Sequence, residues 1–403
     1  VSGLRVLAIT ADRAFLREVR VVLPLAALER RGYVAGFRLL DPVTGALSGH
    51  ESLDSFDAVL VQREAPLRVL RYLSDAGLPF VYDLDDLLIS PASYRQHTPS
   101  CGVSEFVTQA TRQCHKLMVT NAKLLSALEK HVDMKLAGKT ILAPNLCPLR
   151  EPFVRSAKKP SCLVWTSSDL PALTSSKENV VRAVQDFAQS NGLPVLLVGT
   201  FDPAIVRLLP AAKFLGPMDY WHHKLFLLNL PPSIGLAPLE TGADPQTQEF
   251  IDCKSDVKMV EYGGFGHAAV YSRAVAHIDS DLRAGVLAEN TTESWRQALE
   301  EALSSPAGRW EEESRAIVQI RAAETAAPTS WGTALSEARL TQPIKLRQVL
   351  HGFGFKHLSQ MNAQSGYPPH YRLADILYHG LYMHFTPEWL RRRFGRWLSH
   401  HLH

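Results

Sequence analysis

Residues 253–272 run Cys-Lys-Ser-Asp-Val-Lys-Met-Val-Glu-Tyr-Gly-Gly-Phe-Gly-His-Ala-Ala-Val-Tyr-Ser, the most informative stretch of the chain. The pattern reads as a polar loop, a short helix and a glycine-rich turn into a buried strand. Lys254 and Lys258 are four apart, a spacing that puts them on one side of the helix start. Unpaired backbone N–H groups and the helix dipole attract anions there, and two ammonium groups add to that pull. Ser255 offers a hydroxyl and a backbone N–H to the same phosphate. Glu261, one turn further in, can accept hydrogen bonds from sugar hydroxyls. A grip on phosphate beside a grip on a diol is what a nucleotide-sugar site needs. The same residues also describe a solvated helix start with a surface glutamate. The glycines at 263, 264 and 266 read as a helix stop rather than a phosphate loop.

Such a site needs a scaffold, and the chain is long enough for one. Its 403 residues exceed one ordinary core and suit two domains with an appendage. No apolar run reaches the roughly 18 residues of a membrane-spanning helix. The sequence opens on a strand, so no signal peptide is expected. Cys101, Cys114, Cys147, Cys162 and Cys253 are scattered without zinc-ligand spacing and read as free thiols in a reducing compartment. The net charge of +3 is uneven: eight Lys/Arg against Asp375 and Glu388 make residues 341–403 +6, which leaves −3 for the first 340. Charge patterning of this kind assigns an anionic partner to the tail rather than to the body, and an acidic body argues against nucleic acid.

Strand and helix patterns alternate throughout. Strands are expected at 4–10, 56–62, 79–83, 116–120 and 140–143, and helices at 17–31, 67–76, 103–114 and 121–131. Residues 151–160 are charged, proline-bounded and aperiodic, and read as a linker. A second series follows: strands at 162–166, 194–199, 234–238, 268–272 and near Val286, with helices at 177–190 and 292–304. The fold class is therefore α/β, with two Rossmann-like parallel sheets facing a cleft: residues 1–150, then 161–335, then a helical tail over 336–403. Ligands of such sheets sit at the carboxyl ends of strands.

The order of these features resembles the GT-B glycosyltransferases, in particular the retaining bacterial GT4-type enzymes, over roughly residues 4–335. Residues carrying the resemblance are Arg20-Val21-Val22-Leu23-Pro24-Leu25, Phe80 to Leu88 with its Asp83, Asp85 and Asp86, and Pro144-Asn145. In the second half they are Leu163 to Leu170, Ile234 to Leu239, and the Lys-Ser-x-x-Lys-x-x-Glu-Tyr of residues 254–262. Three departures stand out. The commoner pattern has two glutamates, and the first falls here at Cys253. Thr166-Ser167-Ser168 replaces a glycine-containing turn, and Thr10 to Arg13 lacks glycine.

The resemblance implies a nucleotide-sugar donor, UDP, GDP or dTDP being undistinguished, with no cofactor and no metal. It assigns donor contacts to Thr166, Ser167, Lys254, Ser255, Lys258 and Glu261, with Lys258 neutralising the leaving diphosphate and Glu261 holding ribose. Asp85 or Asp86 would orient an acceptor hydroxyl or touch the donor sugar, or, were the transfer inverting, act as general base; an Asx-type turn capping the next helix is the plain alternative. Arg20 would meet an anionic acceptor or the phosphates, or make a surface salt bridge. Thr166 and Ser167 also suit a helix cap. His115, His131, His222, His223 and His277 have no ligand spacing. The implied function is sugar transfer to a glycan or lipid-linked acceptor in cell-surface polysaccharide synthesis. The alternative is a degenerate GT-B module that binds a glycan or a protein partner. A dinucleotide-type Rossmann enzyme lacks the Gly-x-Gly-x-x-Gly it would need. In the tail, helices at 371–385 and 386–398 are expected. The second carries Leu390, Phe394, Trp397 and Leu398 on one face and arginines elsewhere, which suits a membrane interface or a protein partner. The protein is therefore expected in the cytoplasm, or peripheral on the inner face of the plasma membrane.

Overall fold

The computed structural model describes residues 3–11, 15–93, 102–155, 159–167 and 173–355. The first sheet is built from β1 (Leu4–Thr10), β2 (Val34–Leu40), β3 (Leu47–Gly49), β5 (Ala58–Gln62), β6 (Val81–Leu84), β7 (Lys116–Val119) and β8 (Thr140–Leu142), with β4 (Ser55–Phe56) beside it. Its order is β3-β2-β1-β5-β6-β7-β8. All pairings are parallel except β2 with β3. Val6 to Ile9 are fully buried because helices cover both faces, which is why β1 is a continuous apolar run. The second sheet holds β9 (Leu163–Ser167), β10 (Val195–Gly199), β11 (Lys213–Leu215), β12 (Ile234–Ala237), β13 (Ala268–Ser272) and β14 (Val286–Ala288). Its order is β11-β10-β9-β12-β13-β14, all parallel. In each sheet the strand order reverses beside its first strand, between β1 and β5 and between β9 and β12. A crevice opens at such a point.

β2 is missing from the hydrophobic pattern because Gly36 and Arg38 interrupt it. Arg38 is nonetheless buried, with Nη1 donating to the carbonyls of Glu51 (3.3 Å) and Leu53 (3.2 Å). The expected single helix over 17–31 is also more complex. A π-type turn over Glu18–Val22 leads into the helix Leu23–Arg30. Pro24 has no N–H to offer the carbonyl of Arg20, four residues back. That carbonyl instead accepts the indole Nε1–H of Trp331 at 3.0 Å.

Trp331 also marks where the domain expectation fails. The helix Ala307–Arg321 packs on the second sheet, but from Ala323 the chain is back on the first, where Ala323, Ala327, Trp331, Ala334 and Leu335 join the core behind β1. The crossing is pinned where Cys147 N donates to Arg321 O (2.6 Å) and Ala323 N to Cys147 O (3.0 Å). β15 (Ile344–Lys345) then pairs antiparallel with β4, and the helix Leu346–Gly352 lies against Leu67–Asp75, with Phe353 edge-on to Tyr72 at 5.5 Å. The change of partner at 322–323, not 335–336, follows from small and aromatic residues that suit the first core. Residues 323–353 thus complete the first unit rather than starting a tail. Residues 356–403, with the two expected tail helices, lie outside the described residues.

The units also touch through the helix Pro245–Asp252, which follows β12. Phe250, Ile251 and Cys253 join the core of the first sheet. Burying Phe250 and Ile251 there contributes about 1.5–3 kcal/mol each. No helix among the described residues is long and apolar enough to cross a membrane.

Candidate functional site

At the crevice of the second sheet, β9 ends in Thr166 and Ser167, and the helix Val257–Gly264 runs alongside. Glu261 is 1% exposed and holds two lysines. Lys224 Nζ, from the helix Tyr220–Asn229, donates to Oε1 at 2.8 Å, and Lys258 Nζ donates to Oε2 at 2.6 Å. Lys258 Nζ also donates to Thr166 Oγ1 at 2.9 Å. Tyr262 OH accepts from Thr166 N (2.9 Å), lies 3.0 Å from Thr166 Oγ1 and donates to Leu236 O (3.3 Å). Gly235 in β12 makes room for the Tyr262 ring, since any side chain there would overlap it. The Lys258 side chain, 25% exposed, is the solvent-facing member of the cluster.

Burial would raise the Glu261 carboxyl, but Lys224 and Lys258 outweigh it and hold the group well below the usual carboxylate range. Burial lowers Lys224 while Glu261 opposes that shift. His223 is driven down to about 3, chiefly by burial, so its imidazole is neutral. Lys224 is boxed by the rings of Phe15 (4.9 Å), Tyr220 (5.1 Å) and Phe265 (5.4 Å). Phe15 belongs to the first unit, so the box is closed across the cleft.

Lys254 and Lys258 do not share a helix face. The helix starts at Val257, and Lys254 lies in the preceding turn, its Nζ 3.7 Å from Asp86 Oδ1 of the first unit and 4.7 Å from the Phe250 ring. Ser255 Oγ likewise crosses over, accepting from Asn145 Nδ2 at 2.7 Å. Asp256 supplies a carboxylate at the helix start, held by Arg321 Nη2 (2.9 Å) and Ser280 Oγ (2.6 Å). Cys253 is 2% exposed and packs with apolar neighbours, burial pushing its thiol up to about 12.

Across the cleft, Asp85 sits just beyond β6, 5% exposed, with Arg63 Nη1 at 3.1 and 3.2 Å from its two oxygens. Burial raises its carboxyl to about 6, Arg63 opposing and Asp86 reinforcing the shift. Arg63 follows β5 with φ +57°, a left-handed conformation that costs a non-glycine residue about 1–3 kcal/mol and occurs preferentially at functional sites. Asp86 Oδ2 lies 4.0 Å from the same Nη1.

Arg20 does not line this cleft. It is 0% exposed, paired with Asp83 through Nε (3.1 Å) and Nη2, donating through Nη1 to Ala143 O (2.6 Å), and stacked on Trp331 at 4.8 Å. Trp331 covers its outer side, so the acceptor or phosphate contact and the surface salt bridge expected of it both give way to a buried strut. Asp83 is consumed by the same pair. Neither Lys224 nor Arg63 stands out in the sequence. Neither stands in a recognisable spacing: β12 and the helix Pro245–Asp252 separate Lys224 from the motif it joins, and the strained φ of Arg63 has no sequence signature. Among the described residues no three His, Cys, Asp or Glu side chains converge as metal ligands.

No protein-family model and no curated protein matches the sequence. Solved structures do resemble the fold. That of Anabaena Alr3699/HepE in complex with UDP and glucose aligns with a TM-score of 0.55 at 10% identity, covering 81% of this chain and 97% of the other. That of WaaG, a glycosyltransferase involved in lipopolysaccharide biosynthesis, aligns with a TM-score of 0.51 at 13% identity, covering 82% and 99%. The architecture is GT-B: two Rossmann-like halves with parallel sheets across a cleft.

Proposed function

We propose that this protein is a nucleotide-sugar-dependent glycosyltransferase of the GT4 type, retaining and metal-independent, acting on a glycan or lipid-linked acceptor in cell-surface polysaccharide synthesis. The observation that carries the proposal is the Lys258–Thr166–Glu261–Lys224 cluster at the crevice of the second sheet. A diphosphate entering there meets Lys258 first, with the Thr166 hydroxyl beside it. Charge developing on the leaving diphosphate is then stabilised by an ammonium already held in place. In a retaining transfer that diphosphate also helps the acceptor hydroxyl lose its proton. Asp85 and Asp86 face the cleft from the first unit, where a carboxyl raised to about 6 is placed to orient an acceptor hydroxyl. Lys254 and Ser255, which bridge to the first unit, contribute to donor binding through closure of the cleft. The UDP and glucose bound to HepE support this class of donor. Residues 341–403 would bring the enzyme to the inner face of the plasma membrane or to a protein partner. Liposome flotation with and without them tests this, and equal partitioning removes the membrane role.

The decisive experiment is donor turnover by the purified protein with UDP-, GDP- and dTDP-sugars. The double variant Lys258→Ala/Glu261→Ala loses it, and wild-type rates in that variant refute the site. A second reading, a GT-B module that binds without catalysis, is favoured by two observations: Cys253 is buried in an apolar contact, and both Glu261 oxygens are engaged by lysines. Calorimetric titration that detects no UDP, GDP or dTDP binding selects it.

A further inference from the structure

Lys224 is a buried lysine that the proposed reaction does not by itself require. The residue is 3% exposed, and its ammonium lies 2.8 Å from Glu261 Oε1 and faces three aromatic rings. Burying a charged amine is costly unless it is paired. Glu261 therefore stands between two cations, one sealed and one open to solvent. Two ammonium groups against one carboxylate leave one positive charge in the cluster. His223, neutral beside them, adds none. Without Lys224, Lys258 and Glu261 would neutralise each other at 2.6 Å, and an incoming anion would have to break that ion pair to engage Lys258.

We propose that Lys224 is a positioning residue, the counter-cation of Glu261, and that it thereby leaves the charge of Lys258 available to the diphosphate group of a ligand. The role rests on reading this cluster as a diphosphate site, but not on any particular base or sugar. The aromatic box of Phe15, Tyr220 and Phe265 suits the task. Ring faces stabilise a cation without contributing a second anion, so Lys224 stays committed to Glu261. Phe15 reaches in from the first unit, so opening of the cleft removes one wall of the box and weakens the hold on Lys224.

The test is isothermal titration with inorganic pyrophosphate and, separately, with UDP, GDP and dTDP. The proteins are the full chain and the variants Lys224→Met, Lys224→Met/Glu261→Gln and Lys224→Gln. Losing the charge-assisted pairing should weaken pyrophosphate binding about tenfold in Lys224→Met. The double variant removes the competing carboxylate as well, and pyrophosphate affinity should return to the wild-type value. A lysine that merely fills space would show no such rescue. Lys224→Met binding as tightly as wild type overturns the proposal, as does a folded double variant without recovery. If Lys224→Met does not fold, Lys224→Gln, which keeps a hydrogen bond to Glu261 but not the charge, takes its place: about tenfold weaker pyrophosphate binding supports the proposal, and wild-type binding overturns it. Wild-type binding of pyrophosphate but of none of the nucleotides removes the glycosyltransferase reading while the pyrophosphate series still judges Lys224. Binding of neither overturns both.

Discussion

Asp85→Asn gives the most direct measure of the stability sacrificed at the cleft. The Asp85 carboxyl is raised from its ordinary 3.8 to about 6, burial outweighing Arg63. A carboxylate whose folded value lies above its unfolded one contributes stability that is fully present below the unfolded value. That stability is lost as pH rises through the folded one. The window here is about pH 4 to pH 6, and the full difference amounts to about 3 kcal/mol at 1.36 kcal/mol per pH unit. Asparagine keeps an oxygen for Arg63 Nη1, now at 3.1 Å, and never ionises. Urea unfolding of both proteins from pH 4 to pH 8 should therefore show Asp85→Asn gaining about 2–3 kcal/mol over wild type across that window, then holding level. Turnover should fall in the same variant, the trade expected of a group retained for chemistry rather than for folding. Stability profiles that run parallel across the whole range would refute the reasoning, and so would a variant less stable than wild type at pH 7. Either result would mean that Asp85 is ionised at no cost and that Arg63 fully compensates its burial.

Three other substitutions probe the supports of the site. Trp331→Phe leaves the buried Arg20 carbonyl without its 3.0 Å indole donor, and the urea midpoint should drop by the equivalent of about 1–3 kcal/mol; an unchanged midpoint would show that another group takes the carbonyl. Gly235→Ala drives a methyl group into the Tyr262 ring and should cost about 1–3 kcal/mol, read as a lowered Tm, together with weaker nucleotide binding as the Tyr262 hydroxyl is displaced from Thr166. Thr166→Val keeps the shape of the end of β9 but removes the hydroxyl between Lys258 and Tyr262, so nucleotide affinity should fall about tenfold by calorimetry with Tm nearly unchanged.

Strand–helix alternation and the clustering of Lys258 with Glu261 on one short helix were legible in the sequence because they are local. A strand buried on both faces must be a continuous apolar run, and residues three apart on a helix must be neighbours. The ends of β9 and β12 could likewise be placed at a crevice from the order of elements alone. The sequence could not supply the partners that decide what those residues do. Lys224 reaches Glu261 across 37 positions, and Arg20 reaches Asp83 across 63. The seal over Arg20 comes from Trp331, 311 residues away, onto a carbonyl freed by Pro24. Arg20 therefore read as a ligand contact and proved to be a strut. Lys254 read as one half of a phosphate pair and proved to face Asp86 across the cleft. Local periodicity fixes which element a residue occupies and which way that element turns. Which charge stands opposite depends on how two sheets and a returning chain close on one another, and that is a property of the tertiary structure alone.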